Sequence, residues 1–179
     1  MFQQEDLMQD TSKAPGTRIP IFISSSGTVE ALLPIELSDD EWRARLTLHQ
    51  FDVARKKGTE YAFTGKYHNI RDPGIYRCAC CGTDLFDAKA KFDSGTGWPS
   101  FTKPLEPANV TVREDRSYHM SRVEVRSTLG NSHLGHLFDD GPVPTGKRYC
   151  MNSASLRFIP KEDLEKEGYG EYRKLFEKK

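Results

Sequence analysis

Several things are scarce in this chain. Four cysteines in 179 residues, three of them crowded at positions 78, 80 and 81, are too few and too unevenly spread for a secreted disulfide framework. No apolar run approaches the length needed to cross a bilayer, so no membrane partner is expected. Neither sign of charge prevails. The 26 Lys and Arg balance the 26 Asp and Glu, and there is no basic run, which argues against a nucleic-acid platform. The first ten residues, MFQQEDLMQD, lack the basic start and apolar core of a secretory leader. The expectation is a cytoplasmic protein, although a processed periplasmic or organellar form would begin in the same way. The length suits one domain with a core of ordinary size.

What the chain does have is concentrated between Asn131 and Ser153, NSHLGHLFDDGPVPTGKRYCMNS. Two of the five histidines, a turn rich in Asp, Gly and Pro, and the one isolated cysteine lie within these residues. Lys147 to Phe158 reads as a strand bounded by Gly146 and Pro160. A period of two puts Arg148, Cys150 and Asn152 on one face and Tyr149, Met151 and Ser153 on the other. A cation beside a thiol favours the thiolate, its nucleophilic form. His133 and His136 would fall on opposite faces of a regular strand, but Gly135 between them marks a place for a bulge that turns both imidazoles to one side. A lone cysteine is most often a small buried hydrophobe, so spacing alone leaves a catalytic and a structural reading evenly matched.

The rest divides into three stretches. Residues 1–36 form an N-terminal extension: a flexible polar tail to Arg18, then a hairpin from Ile19 to Pro34. Residues 37–160 form the main domain. Two capping boxes, Ser38 with Glu41 and Thr47 with Gln50, predict short helices over 39–46 and 48–57, with Trp42, Leu46, Phe51 and Ala54 facing inward. From Tyr61 on, short β-prone runs beginning with YAFTGKY and divided by Gly and Pro turns predict an antiparallel sandwich or small barrel. Residues 161–179 are read as a peripheral, charged helical tail.

HLGHLFDDGPVPTGKRYCMNSASLRF resembles the signature of the methionine-R-sulfoxide reductases, and Lys91 to Phe101, KFDSGTGWPSF, resembles that family's second signature. The likeness covers roughly 37–160. It implies a mainly β (α+β) fold of two packed antiparallel sheets, the β-tent, with short helices N-terminal and C-terminal to the β core. It also implies reduction of methionine-R-sulfoxide, protein-bound by preference. Cys150 attacks the sulfoxide sulfur and becomes a sulfenic acid, which an external thiol or thioredoxin then reduces. His133 and His136 are the general acid and oxygen-polarising donor, Arg148 favours the thiolate, and Asn152 positions the groups around it. Asp140 orients an imidazole or the Arg148 guanidinium. Trp98 walls the substrate methyl, with Phe138 and His119 as further substrate contacts. The partners expected are oxidised proteins or peptides and a thiol reductant, acting on a monomer. Two other readings compete: a non-catalytic binding module on the same scaffold, and a Cys/His hydrolase, which lacks an obvious oxyanion site.

Two departures from the family pattern stand out. Zinc-bearing members hold the metal with two C-x-x-C pairs, but here Ser127 and Gly130 occupy the second pair, so no metal or other cofactor is expected. The usual resolving-cysteine positions are Thr96 and Thr64. Cys78, Cys80 and Cys81 are the remaining candidates, and an external thiol is the preferred alternative because it requires no large motion.

Overall fold

The computed structural model describes residues 16–177; the tail expected over 1–18 lies almost wholly outside them. The expected hairpin is present as β1 (Ile19–Ile23) and β2 (Thr28–Leu32), antiparallel, with Ile21 opposite Glu30. It is fastened to the body by Asn109, whose Oδ1 accepts the Phe22 N–H at 2.8 Å.

Helices α1 (Asp39–Arg45) and α2 (Leu48–Ala54) start at Ser38 and Thr47, and both capping boxes are formed. Each box satisfies backbone donors that the first turn leaves free. Trp42, Phe51, Val53 and Ala54 are buried; Leu46 is only half-buried. The second helix stops three residues short of the predicted end, at Ala54 rather than residue 57.

Nine further strands make two packed sheets. The smaller has the order β11 (Leu156–Pro160), β3 (Gly74–Cys78), β4 (Asp84–Asp87). The larger has six strands in the order β5 (Lys91–Phe92), β6 (Ser100–Phe101), β10 (Arg148–Met151), β9 (His133–Phe138), β8 (Arg122–Ser127), β7 (Val110–Asp115). Every pairing is antiparallel. Tyr76, Leu85 and Phe86 of the smaller sheet meet Phe101, Val125, Leu134, Tyr149 and Met151 of the larger in one buried cluster. Phe86 stacks on Phe101 with centroids 4.4 Å apart. Because strand side chains alternate, the larger sheet keeps a second face for polar side chains.

Three expectations are corrected. The run 147–158 is not one strand: β10 ends at Met151, a 3₁₀ turn spans Ser153–Ser155, and β11 joins the other sheet. Asn152 therefore does not continue the alternation of Arg148 and Cys150. Residues 61–67 form turns rather than a strand. Most consequentially, the C-terminal segment is helical as expected but not peripheral. It runs in 3₁₀ segments, Lys161–Asp163 and Gly170–Phe176, and buries Leu164, Tyr169 and Tyr172 against Ile75 and Ile159 as a second core. A charge-rich composition hid three well-spaced apolar anchors.

Candidate active site

One rung of the larger sheet crosses all six strands. Phe92 is partnered with Ser100, Ser100 with Cys150, Cys150 with His136, His136 with Glu124, and Glu124 with Arg113. Directly opposed residues project from the same face. The thiol, an imidazole and a carboxylate are thus brought together by strand register.

His133 joins them through a bulge. On β8 the consecutive residues Val125 and Arg126 face Gly135 and His133, which leaves Leu134 as the extra residue of β9. The shift brings the two imidazoles to within 5.4 Å, centroid to centroid. Gly135 is required by crowding: a Cβ there would lie 2.0 Å from the Cys150 carbonyl oxygen. Asn152 secures the bulge, donating from Nδ2 to the Leu134 carbonyl at 3.1 Å. Its Oδ1 accepts the Glu60 N–H at 3.1 Å. Asn152 is therefore a buried tie between segments.

Each imidazole has its own carboxylate. His133 Nδ1 lies 2.8 Å from Glu124 Oε1, with both side chains buried. His136 Nε2 lies 2.7 Å from Asp115 Oδ2. Burial works against the charge on Glu124, but His133, Arg126 and Lys57 outweigh it and bring its pKa down to about 2. Asp115 is likewise disfavoured by burial, yet His136, Ser117 and Arg122 hold it well below the usual carboxylate range. Burial lowers the His136 pKa, with Asp115 opposing; a neutral ring there donates through Nε2 and leaves Nδ1 as an acceptor. His133 Nε2 is buried and has no hydrogen-bond partner among the described residues.

Around the thiol, desolvation is the largest influence and raises the Cys150 pKa. Arg148 and the hydroxyls of Thr96 and Ser100 pull the other way and fall short. The expectation that Arg148 favours the thiolate is right in direction, but burial prevails. Arg148 is held by Asp140 in a two-pronged pair, Nε to Oδ1 at 2.8 Å and Nη2 to Oδ2 at 2.9 Å, and its guanidinium lies 4.3 Å from the Phe138 ring centre. Asp140 thus serves Arg148 and neither imidazole. Trp98 is half-buried and donates its indole N–H to the Glu60 carbonyl at 3.0 Å. His119 lies exposed on the short turn after β7.

Cys78, Cys80 and Cys81 are elsewhere. Cys81 Sγ is 3.3 Å from Ser127 Oγ, and Ser127 N–H bonds to the Ser132 carbonyl. Cys150 is level with His136, four residues further along β9, or about 13 Å at ~3.3 Å per residue. That exceeds the Cα separation of about 7 Å that a disulfide tolerates, so the structure does not bring these thiols to Cys150. Within the cluster, contact with Cys80 raises the Cys78 pKa, and the Cys78 contact lowers that of Cys80. The donors do not fit the family's zinc: opposite the thiols stand the Ser127 hydroxyl and Gly130, where an added Cβ would lie 2.9 Å from Cys81 Cβ.

Residues 46–160 match the SelR domain family. The chain belongs to the methionine-R-sulfoxide reductase family. Peptide methionine sulfoxide reductase MsrB of Pseudomonas aeruginosa is 54% identical over 123 residues, which is 69% of this chain and 93% of that protein. Methionine-R-sulfoxide reductase B3, mitochondrial, of mouse is 52% identical over 136 residues, 76% of this chain and 54% of that protein. The MsrA/MsrB protein of Vibrio cholerae is 44% identical over 167 residues, 93% of this chain and 44% of that protein. The protein is thus a methionine sulfoxide reductase, and membership disfavours both the binding-module and the hydrolase readings.

Five residues of the site escape the sequence reading. Alternation places Glu124 and Asp115 on a polar strand face but does not say which strand, and so which histidine, lies alongside. Ser100 reads inside the second signature as an ordinary motif residue, and Thr96 stands out there only as a resolving position filled by threonine, not as a neighbour of the thiol. Glu60 has no periodic context. Its side chain accepts the Ser153 and Ala154 N–H groups at 2.6 and 3.0 Å, and its carbonyl holds Trp98.

Proposed function

We propose that this reductase acts on methionine-R-sulfoxide in oxidised proteins and peptides, with Cys150 as nucleophile. The observation that carries the proposal is the rung that aligns Ser100, Cys150, His136 and Glu124 on one sheet face, with Arg148 and Thr96 both favouring the thiolate. The thiolate attacks the sulfoxide sulfur while the oxygen takes up a proton. Methionine leaves reduced by two electrons, and Cys150, oxidised by two, carries the oxygen as a sulfenic acid. The partnerless Nε2 of His133 is suited to the sulfoxide oxygen: Glu124 holds the ring at Nδ1 and leaves Nε2 for the substrate, and positioned proton donation contributes about 10²–10⁴-fold in rate. The Trp98 face receives the methyl group.

Resolution is external in this proposal. A first thiol attacks the sulfenic sulfur and releases water, and a second thiol breaks the mixed disulfide and restores Cys150. A dithiol protein of the thioredoxin kind supplies both. Thr96 and Thr64 cannot form a disulfide, and the 78–81 turn lies too far along the sheet.

The test is one equivalent of an R-sulfoxide without reductant, followed by mass mapping of the cysteines. Expected are one methionine released per chain, a sulfenic acid trapped by dimedone at Cys150, and three free thiols at 78, 80 and 81. A Cys150→Ser protein that still turns over would overturn the nucleophile, and a disulfide from Cys150 to the 78–81 turn would overturn external resolution.

A further inference from the structure

Eight large apolar side chains are exposed among the described residues, and five of them lie on three loops that hydrogen-bond into the catalytic constellation. Tyr61 (85% exposed) and Phe63 (63%) flank the Glu60 carbonyl that holds Trp98, and the Phe63 N–H bonds to the Gly97 carbonyl at 2.8 Å. Tyr118 (80%) and Met120 (46%) lie on the turn that follows Asp115, the carboxylate of His136. Val143 (90%) lies on the loop between Asp140 and Arg148. Folding leaves these side chains in water although the chain has two cores to fill.

The backbone adds an independent observation. Phe63 and Tyr118 have φ of 66° and 54°, and His119 has 56°, all in the left-handed region that costs L residues roughly 1–2 kcal/mol each. An aromatic residue there is rare, and strain of this kind persists where it serves a site. In this case it fixes exposed aromatic side chains on loops that hydrogen-bond to the site.

We infer that Tyr61, Phe63, Tyr118, Met120 and Val143 form an apolar collar that grips the polypeptide on both sides of the oxidised methionine, and that the enzyme selects extended segments with apolar neighbours. The inference rests on the catalytic reading above and deepens it. The occupant follows from continuity with the reacting centre: the three loops are tied to Trp98, His136 and Arg148, the residues that a polypeptide carrying the sulfoxide to Cys150 would approach. Methionine is mostly an interior residue, so when an unfolded segment is oxidised its neighbours in sequence are largely apolar. A collar of aromatic and thioether side chains favours that chemistry over the polar, Gly-rich flanks of surface loops.

The test uses the full chain with dithiothreitol as reductant and three R-sulfoxide substrates: N-acetyl-methionine sulfoxide methylamide, a pentapeptide with Leu and Val flanks, and one with Ser and Gly flanks. The variants are Tyr61→Ser, Tyr118→Asn, which keeps a residue tolerant of positive φ, and the two combined. Wild type is expected to prefer the apolar-flanked peptide by about tenfold or more in kcat/KM, the scale of one well-buried side chain. The combined variant should lose that preference through KM while the small amide is turned over as before. Equal use of the two peptides by wild type, or an equal loss on all three substrates in the variants, overturns the collar. Failure of wild type to reduce the small amide overturns instead the catalytic reading beneath it.

Discussion

Glu124 lies 2.8 Å from the Nδ1 of His133, and both side chains are buried. The same carboxylate takes Arg126 at 2.8 Å and Lys57 at 3.1 Å. It therefore orients the His133 ring through Nδ1. Replacing Glu124 by Gln should lower the single-turnover rate by about a hundredfold, within the range ascribed to a positioned acid. Binding of the sulfoxide should change little. Stopped-flow tryptophan fluorescence on Trp98 separates the two, and loss of binding with retained rate would contradict the assignment.

The pH dependence follows from the direction in which Cys150 is displaced. Burial raises its pKa, so the thiol is the resting form and the thiolate fraction grows as pH rises. At saturating reductant, kcat/KM should climb through neutrality and continue above the ordinary thiol range. Arg148→Met removes an opposing influence and should move this limb further alkaline, with about tenfold less thiolate at fixed pH for each unit of displacement. A rate profile that is flat above neutral pH would mean that the thiolate is already formed.

Thr96 is close enough to Cys150 to lower its pKa. A thiol at that position would stand where the sulfenic sulfur can be reached. Thr96→Cys is expected to collect a disulfide between position 96 and Cys150 after one equivalent of sulfoxide, visible as a non-reduced cross-linked peptide. The same digest of wild type should show none.

The 78–81 turn makes a similar test of metal binding. Wild type is expected to carry no stoichiometric zinc after dialysis. Ser127→Cys combined with Gly130→Cys supplies a second thiolate pair opposite that turn, and once Cys81 shifts to admit a Cβ at 130 it completes the donor set of a structural zinc site. Elemental analysis should find one zinc per chain in the double variant, with a Tm that falls on adding chelator. One zinc per chain in the wild type would show that three thiols and a hydroxyl suffice.

Leu164 is fully buried against Ile75 and Ile159. Leu164→Ala should cost about 2–5 kcal/mol in urea unfolding while leaving kcat/KM at low temperature unchanged. A loss below about 0.5 kcal/mol, the level of a surface change, would return the tail to the periphery.

These cases show what patterns in the sequence could and could not convey. Capping boxes are local, so Ser38 and Thr47 announced their helices correctly. The bulge at Gly135 was legible because two histidines three apart must otherwise diverge. Asp115 and Glu124 were not, because their partners are 21 and 9 residues away and alternation says nothing about which strand lies alongside. The break after Met151 was missed because residues 152–155 carry no Gly or Pro; hydrogen bonds donated by the Ser153 and Ala154 N–H groups to Glu60, some 90 positions upstream, hold that turn. The tail misled through composition, since three buried anchors among many charges do not raise mean hydropathy.

The rung from Ser100 to Glu124 has a consequence for folding quality. The side-chain period along a strand is two, so sliding β10 by one residue against β9 would turn Cys150 into the core and present Tyr149 or Met151 to the imidazoles. Such a slipped chain could keep much of its compactness and secondary structure, yet it would be inert. The specific activity of a refolded preparation therefore counts correctly threaded molecules, and a thiol titration of the native protein should track it one for one.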